Sequence, residues 1–308
     1  MKTLVTGGAG FIGSNLVKLL FEEGHEITVL DNLSSGYQSN LPASRQVRIV
    51  TGDVRDPVAV ASAIDGAEVI FHLAASVGNK RSIDHPLDDS QINVLGTLTV
   101  LEAARNAGVR KVVYSSSAGI FGELKTLPIR EDHPVEPDTP YGATKLAGEK
   151  LCLAYAKLYA LEAVALRYFN VYGINQRYDA YGNVIPIFAH RIFGGQPITI
   201  FGDGEQTRDF INVRDVVLAN YMAGMNHGVS GAFNLGSSSR ITINRLAEMM
   251  VDIAGTETEI VHADPRPGDV RHSLADTSAA AAAFGFAPTI ALESGLADYL
   301  AWYRREIA

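Results

Sequence analysis

The sequence predicts an α/β protein with a doubly wound parallel sheet, followed by a smaller C-terminal lobe. Short runs rich in Val, Ile and Leu alternate with longer segments of helical period through the first half of the chain, which is the pattern of a parallel sheet covered by helices on both faces. The alternation becomes irregular after about residue 170. With 308 residues, of which 47% are apolar and 19% charged, the chain can bury a large core, and this excludes disorder as its main state.

Six apolar runs predict the strands of the sheet, and four segments between them predict helices. The strands are expected at residues 3–6, 26–30, 47–51, 68–73, 111–115 and 163–168. The helices are expected at 14–23, 58–64, 92–107 and 141–159. Sheets of this kind bind ligands at the carboxyl ends of their strands, so we expect the functional site there.

Clusters of glycine, proline and asparagine mark the second half of the chain. They lie at 172–186, 194–197 and 264–268 and are typical of the loops of a lobe that covers a substrate. An alanine run at 279–283 follows Asp276-Thr277-Ser278 and predicts a capped helix. We therefore predict a first domain over residues 1–170 and a mainly substrate-binding lobe over 171–308, some segments of which return to the sheet.

The charge balance and the cysteine count exclude several classes of function. Lys and Arg number 26 against 34 Asp and Glu, and the resulting net charge of −8 provides no basic surface for nucleic acid or an anionic membrane. The longest stretch without a charged residue, 216–239, contains too many polar residues for a membrane span. The first strand begins directly after Met1, which leaves no room for a signal peptide, and Cys152 has no disulfide partner. Because a single cysteine cannot form an internal disulfide, we expect a cytoplasmic protein. We expect no metal, because no pair of histidines has metal-ligand spacing.

A glycine-rich loop at residues 6–13 connects the first predicted strand to a helix. Gly7 permits the tight turn, Gly10 lets the backbone approach a pyrophosphate, and Gly13 allows the helix to pack closely on the strand. The free N–H groups at the helix start then face the phosphates. This context of strand, loop and helix predicts a Rossmann-like dinucleotide site.

Acidic residues at the ends of the second and third strands indicate which dinucleotide binds. Asp31 lies 18 residues beyond Gly13, where its carboxylate can accept hydrogen bonds from the adenosine ribose hydroxyls and would repel a 2′-phosphate. The sequence therefore favours NAD over NADP and an NAD-binding domain over residues 1–170. Asp53 is placed either to meet the adenine or to serve as a turn aspartate, and the spacing leaves both interpretations open.

Tyr141 and Lys145 lie one helical turn apart just after Pro140, so that both side chains project from one helix face. The Lys145 ammonium and the positive charge of NAD⁺ both stabilise a phenolate, which lowers a phenol pKa of ordinarily about 10 towards that of a useful base. The serines at 115–117, at the end of the fifth strand, supply a hydroxyl that can relay the proton. These residues predict the abstraction of an alcohol proton.

With these motifs in place, the chain resembles the extended short-chain dehydrogenase/reductase family, and within it the nucleotide-sugar 4-epimerases of the UDP-glucose and UDP-N-acetylglucosamine type. The matching stretches are 6–13, 115–118, 141–145, 167–173 and 266–269, and the likeness covers nearly the whole chain. The resemblance implies that Ser117 is the catalytic serine, Tyr141 the base, and Lys145 the group that holds the nicotinamide ribose.

The residues and the resemblance together assign two sets of contacts. The expected NAD contacts are Gly7, Gly10, Phe11, Ile12, Gly13, Asp31, Asn32, Ser35, Gly36, Asp53, Val54, Leu73, Ala74, Ala75, Asn93, Ser115, Tyr141, Lys145 and Tyr168. The expected substrate contacts are Ser117, Tyr141, Asn170, Asn183, Arg208, Arg266, Asp269 and Ser273. Residues 34–36 are equally consistent with an ordinary loop, and Arg208 and Arg266 with surface ion pairs to acidic neighbours.

The function implied by the resemblance is reversible inversion at carbon 4 of a UDP-hexose. Tyr141 would take the hydroxyl proton while NAD⁺ takes the carbon-4 hydride, and the 4-keto sugar would turn and receive the hydride on its other face. A 4,6-dehydratase is the nearest alternative, but Ala118 and Gly119 stand where that subfamily has an Asp-Glu pair, and Glu123 lies too far along. A decarboxylase also lacks its acid there. A non-catalytic NAD-binding regulator is disfavoured by the retained serine, tyrosine and lysine.

Two further expectations concern substrate breadth and assembly. By the resemblance, the small residue Ser273 admits an N-acetyl group at carbon 2, so the substrates would include UDP-glucose, UDP-galactose, UDP-GlcNAc and UDP-GalNAc. The predicted helices 92–107 and 141–159 are apolar around most of their circumference, which predicts burial against the same helices of a second copy in a homodimer. The alternative is burial under the second lobe of the same chain.

Overall fold

The computed structural model describes residues 1–179, 182–265 and 270–307. Its strands are β1 (Lys2–Thr6), β2 (Glu26–Asp31), β3 (Val47–Thr51), β4 (Val69–His72), β5 (Lys111–Ser117), β6 (Glu162–Tyr168), β7 (Asn170–Tyr172), β8 (Ile198–Phe201), β9 (Thr207–Arg208), β10 (Phe210–Asn212), β11 (Gly231–Leu235), β12 (Ile241–Thr242) and β13 (Ile260–Ala263). Its helices are α1 (Phe11–Glu22), α2 (Pro57–Ile64), α3 (Asn79–Asp84), α4 (Pro86–Ser90), α5 (Thr97–Asn106), α6 (Pro140–Leu158), α7 (Val184–Phe193), α8 (Val213–Met225), α9 (Ile243–Ala254), α10 (Ser278–Phe284) and α11 (Leu292–Ile307). A π-helical turn, Gln91–Gly96, joins α4 to α5.

The central sheet has seven parallel strands in the order β11-β6-β5-β4-β1-β2-β3. This confirms the predicted doubly wound α/β class. Val5 of β1 is paired with Val29 of β2 on one side and with Phe71 of β4 on the other. The chain order reverses between β1 and β4, and the crevice at such a reversal is where open parallel sheets bind ligands.

The seventh strand and the helix before it come from the second half of the chain. β11 pairs with β6, and α8 packs against α1 on one face of the sheet. The prediction of six strands was therefore one short, since the sequence Gly-Ala-Phe-Asn-Leu of β11 has no continuous apolar run. The segment 213–235 belongs to the sheet layer, and α10 packs on β11 there, while most other elements that follow β6 form two-stranded sheets and helices beside it.

Three apolar clusters hold these layers together. One covers the face of the sheet under α1 and α8, a second covers the face under α2, α5 and α6, and a third lies among α7, α9 and α11. Their fully buried members include Val29, Phe71 and Val216 in the first, Ile70, Val112 and Leu101 in the second, and Leu246, Tyr299 and Ile198 in the third. Along the described parts of the chain, no helix combines the length and apolarity that a membrane span requires.

Helix α6 is held against the sheet by a buried ion pair. The Arg167 guanidinium of β6 contacts both carboxylate oxygens of Glu149 on α6, at 3.0 and 2.8 Å, and Ser116 of β5 donates a third hydrogen bond of 2.8 Å. The start of α6 is fixed by Pro140 at its first turn and by the Thr139 hydroxyl, which accepts from the N–H of Gly142. The helix therefore has a fixed position relative to the ends of β5 and β6.

Candidate active site

A cleft of about 870 Å³ runs along the carboxyl ends of the sheet strands and continues under the second half of the chain. It brings together most of the residues that the sequence singled out. Those lining it are Gly7, Gly10, Phe11, Ile12, Gly13, Asp31, Asn32, Ser35, Asp53, Val54, Leu73, Ala74, Ala75, Ser115, Ser117, Tyr141, Lys145, Tyr168, Asn170, Asn183, Arg208 and Ser273. Arg266 and Asp269 lie outside the described residues.

The glycine loop has the geometry that a pyrophosphate requires. Gly7 has φ +67°, and a Cβ on Gly13 would lie 2.1 Å from the carbonyl oxygen of Gly7, so a side chain at either position would disrupt the turn. No side chain caps the start of α1, and its first turn carries no acidic residue. The N-terminus of the helix, with its partial positive charge, therefore faces the cleft and fits an anionic group.

Asp31 and Asp53 take different positions at the adenosine end. The buried Asp31 carboxylate accepts from the N–H of Ala9 at 2.9 Å and from the N–H of Leu33 at 2.8 Å, which fixes it beside the glycine loop. Asp53 is bound by two hydrogen bonds from Arg55, each of 2.8 Å, and these keep its pKa well below the ordinary value. The Asp53 contacts are those of a turn aspartate, whereas Asp31 fits an unphosphorylated ribose.

Ser117, Tyr141 and Lys145 meet where β5 ends and α6 begins. The Ser117 hydroxyl accepts from the N–H of Gly119 at 3.1 Å, and the Ser117 and Tyr141 side chains both line the cleft next to Gly119. Lys145 is buried, with its Nζ 3.4 Å from Ser115 Oγ and 4.5 Å from the centre of the Tyr114 ring. This arrangement can hold an alcohol between two hydroxyl groups with a cation behind them.

Burial changes the proton affinities of both groups on α6. It raises the pKa of Tyr141 to about 12, an effect that the nearby Ser117 hydroxyl partly offsets. It lowers the pKa of Lys145 to about 8, which still leaves the ammonium mostly protonated at neutral pH. Deprotonation of Tyr141 at neutral pH therefore requires additional positive charge near its hydroxyl.

Two of the predicted cofactor contacts do not line the cleft. Asn93 is buried beneath the floor, where its side chain binds both the N–H and the C=O of Ser76, at 2.9 and 3.0 Å. Its amide also donates to the buried Asp89, whose other oxygen accepts from Thr144 at 2.5 Å. Gly36 is turned towards the glycine loop, and a Cβ there would lie 2.9 Å from Ala9. Asn93 therefore fixes the loop after β4 through its hydrogen bonds to the backbone of Ser76.

The substrate end of the cleft is lined by polar residues from the second half of the chain. Asn170 donates to the carbonyl of Asp209 at 3.0 Å, and the buried Ser273 is held through its N–H to the carbonyl of Thr207 at 3.1 Å. Arg208 extends along the cleft and donates to the same carbonyl. The acidic neighbour Asp203 pairs with Arg271 through bonds of 2.7 and 2.9 Å.

The sequence marked 172–186 as a covering loop but identified none of the cleft-lining residues within 175–179. Residues 175–179, just after β7, line the cleft together with Tyr37, Asn40 and Arg81. The sequence Asn-Gln-Arg-Tyr-Asp matches no binding motif, and no periodicity marks it. The one available signal is that a segment rich in Gly, Pro and Asn at a strand end often carries function.

Comparison with known proteins agrees with this geometry. Residues 3–236 match the model of the NAD dependent epimerase/dehydratase family. The UDP-glucose 4-epimerase of Mycolicibacterium smegmatis is 40% identical over 311 residues, which cover 99% of each chain. The crystal structure of a UDP-glucose 4-epimerase from Thermotoga maritima with UDP-glucose has a TM-score of 0.95 at 37% identity and covers 100% of both chains. That of the Thermus thermophilus UDP-glucose 4-epimerase with NAD has a TM-score of 0.91 at 36% identity over 99% of both chains.

The burial of Lys145 predicts a cost in stability. The pKa of Lys145 falls from 10.5 to about 8 on folding, so the buried ammonium lowers the free energy of unfolding at pH 7. K145M should raise the free energy of unfolding of the cofactor-free protein by about 1–3 kcal/mol at pH 7. The stability gained in K145M should decrease between pH 8 and 10.5. In this range the folded wild type has a neutral Lys145, and the unfolded wild type also loses the Lys145 proton as the pH approaches 10.5. Urea denaturation at several pH values measures this, with the exposed Lys157→Met on the same helix as the control. A K145M protein less stable than wild type at pH 7 would contradict it.

Proposed function

Since the chain belongs to the NAD dependent epimerase/dehydratase family, we propose that it interconverts UDP-hexoses that differ in configuration at carbon 4. NAD is the cofactor, and the glycine loop, the uncapped start of α1 and the Asp31 carboxylate fit it. The observation that carries the proposal is the meeting of Ser117, Tyr141 and Lys145 beside this NAD site. The relatives named UDP-glucose 4-epimerase support the choice of reaction.

In the proposed mechanism, Tyr141 acts as the base and later as the acid at carbon 4. When bound, NAD⁺ supplies a reversible acceptor for the hydrogen of carbon 4. The Tyr141 phenolate removes the proton from the 4-hydroxyl, and Ser117 hydrogen-bonds to the oxygen as it becomes a carbonyl. Lys145 holds its ammonium behind this pair, and together with the positive nicotinamide it opposes the rise in the Tyr141 pKa that burial causes.

The second half of the chain is proposed to hold the nucleotide diphosphate while the sugar turns. Arg208 and Asn183 line the cleft on that side and have the donors that a diphosphate needs. On the strength of the sequence resemblance, Arg266 is proposed to add a further donor and Asp269 to complete the nucleotide site as an acceptor. A 4-keto sugar held mainly by its diphosphate is free to present either face to the cofactor, which inversion requires.

Two features favour epimerisation over 4,6-dehydration. Dehydration needs an acid and a base near carbons 5 and 6 in addition to Tyr141. Ala118 and Gly119, which follow Ser117 along the cleft wall, have no titratable group. Glu123 is exposed and does not line the cleft.

The proposal predicts that the purified protein converts UDP-galactose to UDP-glucose and back without consuming NAD⁺. Y141F should reduce turnover by about 10²–10⁴-fold, because it removes the proton acceptor and leaves the packing nearly unchanged. Product ratios are measured by chromatography of the nucleotide sugars. The control is Y221F, since the hydroxyl of Tyr221 binds Glu23 on the surface. Near-normal turnover by Y141F would refute the assigned base, and accumulation of NADH or of a 4-keto-6-deoxy sugar would refute epimerisation.

Ser273 is proposed to set the room available at carbon 2 of the sugar. Its small buried side chain lines the cleft next to Thr207 and Arg208. We expect activity on UDP-N-acetylhexosamines as well as on UDP-glucose and UDP-galactose. Ser273→Tyr should abolish the N-acetylated activity and spare the other, as measured by kcat/KM for both substrates. Equal loss of both activities would show that the residue does not discriminate at carbon 2, and S273A is the control for loss of the hydroxyl alone.

We also propose that the protein pairs as a homodimer through the predicted helices 92–107 and 141–159. In the single chain, Leu95 and Leu158 are 56% and 72% exposed, and Leu153 is partly exposed without belonging to any core cluster. Among the described residues, the C-terminal lobe leaves Leu95 and Leu158 exposed. Apolar area of this kind on two neighbouring helices favours a self-complementary interface.

Charge placed in that surface should separate the subunits. L153E is expected to shift the sedimentation coefficient from that of a dimer to that of a 33.0 kDa monomer, because a carboxylate would be buried against its symmetry mate. L218E, at an exposed leucine of α8, serves as the control. A wild-type protein that sediments as an active monomer at low concentration would overturn the dimer.

A further inference from the structure

Residues 174–179 form a strap, which crosses the NAD cleft. One end is fastened to the first turns of α1. Asn15 donates to the carbonyl of Ile174 and Asn175 donates to the hydroxyl of Ser14, both at 2.9 Å. The Tyr299 hydroxyl of α11 donates to the carbonyl of Gln176, also at 2.9 Å. The strap therefore begins directly above the helix whose N-terminus faces the cleft.

Arg177 joins the strap to two other segments. Its guanidinium lies 4.1 Å from the centre of the Tyr37 ring and 5.7 Å from that of Trp302. It donates to Asn40 Oδ1 at 3.2 Å and to Glu306 Oε2 at 2.6 Å. Tyr37 and Asn40 belong to the loop after β2, and Trp302 and Glu306 belong to α11, so a single side chain connects the adenosine side of the cleft to the C-terminal helix.

The loop on the far side of Arg177 is itself fixed to the glycine loop. The N–H of Tyr37 and the side-chain amide of Asn40 both donate to the carbonyl of Ala9, at 3.0 and 3.1 Å. At the other end of the strap, Asp179 pairs with Arg81 of α3. Residues of the strap, the glycine loop and α3 thus all line the part of the cleft that Asp31 and the start of α1 identify as the dinucleotide site.

We propose that Arg177 fastens the strap over bound NAD and sets how slowly the cofactor leaves. The dinucleotide can leave that part of the cleft only if the contacts of Arg177 with Tyr37 and Asn40 open. The inference rests on the proposed function, in which the cofactor regains its starting oxidation state in every cycle and is not replaced. Loss of the two cation–π contacts, the hydrogen bond to Asn40 and the partly exposed ion pair with Glu306 should speed release about tenfold.

The test is exchange of bound dinucleotide, which does not depend on turnover. The holoenzyme is mixed with excess isotopically labelled NAD⁺ and desalted at intervals, and the dinucleotide released by acid is measured by mass spectrometry. R177A is expected to exchange its cofactor about tenfold faster than wild type. R214A is the matched control, because Arg214 also forms an ion pair with α11, through Asp298, but does not line the cleft. It should exchange at the wild-type rate.

A second variant keeps the proposal testable if R177A does not fold. Tyr37 is 49% exposed, so Y37A should fold, and it should accelerate exchange from the opposite side of the same contact. Exchange at the wild-type rate in the folded variants would overturn the role of Arg177 and leave the proposed function intact. A wild-type protein that neither retains nor takes up the dinucleotide would overturn the proposed function together with the strap.

Discussion

The buried ion pair between Glu149 and Arg167 is the interaction on which the geometry of the site depends. Two charges taken out of water are costly unless each finds matched partners, and here the guanidinium meets both carboxylate oxygens while Ser116 satisfies the remaining acceptor. These contacts tie α6 to both β5 and β6. Lys145 lies one helical turn before Glu149, so the same pairing determines where the lysine and Tyr141 meet the end of β5.

The elements that could be predicted from the sequence are those whose apolar residue pattern directly reflects how they are buried. Strands β1, β2, β4, β5 and β6 are mostly buried and therefore appear as largely apolar runs, and α6 appears through its period and its Thr-Pro start. The sequence of β11 has no such apolar run, because this segment becomes a strand by pairing with the edge of β6. The two-residue strands β9 and β12 depend in the same way on each other, across more than thirty intervening residues.

The residues of the candidate site also separate into those that could be predicted from the sequence and those that could not. Gly7, Asp31, Ser117 and Tyr141 could be predicted to line the cleft because each follows a strand or starts a helix of the sheet, and the topology brings all such ends together. Asn93, which lies in a π-helical turn, does not line the cleft, because its amide binds Ser76 and Asp89, and its nearness to the cofactor stays a prediction. The contacts of Arg177 lie 137 and 129 residues away along the chain, and no local pattern records contacts of that range.

The strap and the sheet together explain how one cleft can treat its two ligands differently. The dinucleotide part is enclosed by segments from both halves of the chain, so a bound cofactor contacts both and stabilises their arrangement by mass action. The other part is lined by Asn183, Arg208 and Ser273, none of which takes part in the strap. In the proposed reaction, which restores its cofactor in each cycle, the dinucleotide needs a slow exit and the sugar nucleotide a fast one. Arg177 lies at the dinucleotide part of the cleft and not at the other part, so in this proposal it slows only the exit of the cofactor. No separate moving domain is needed.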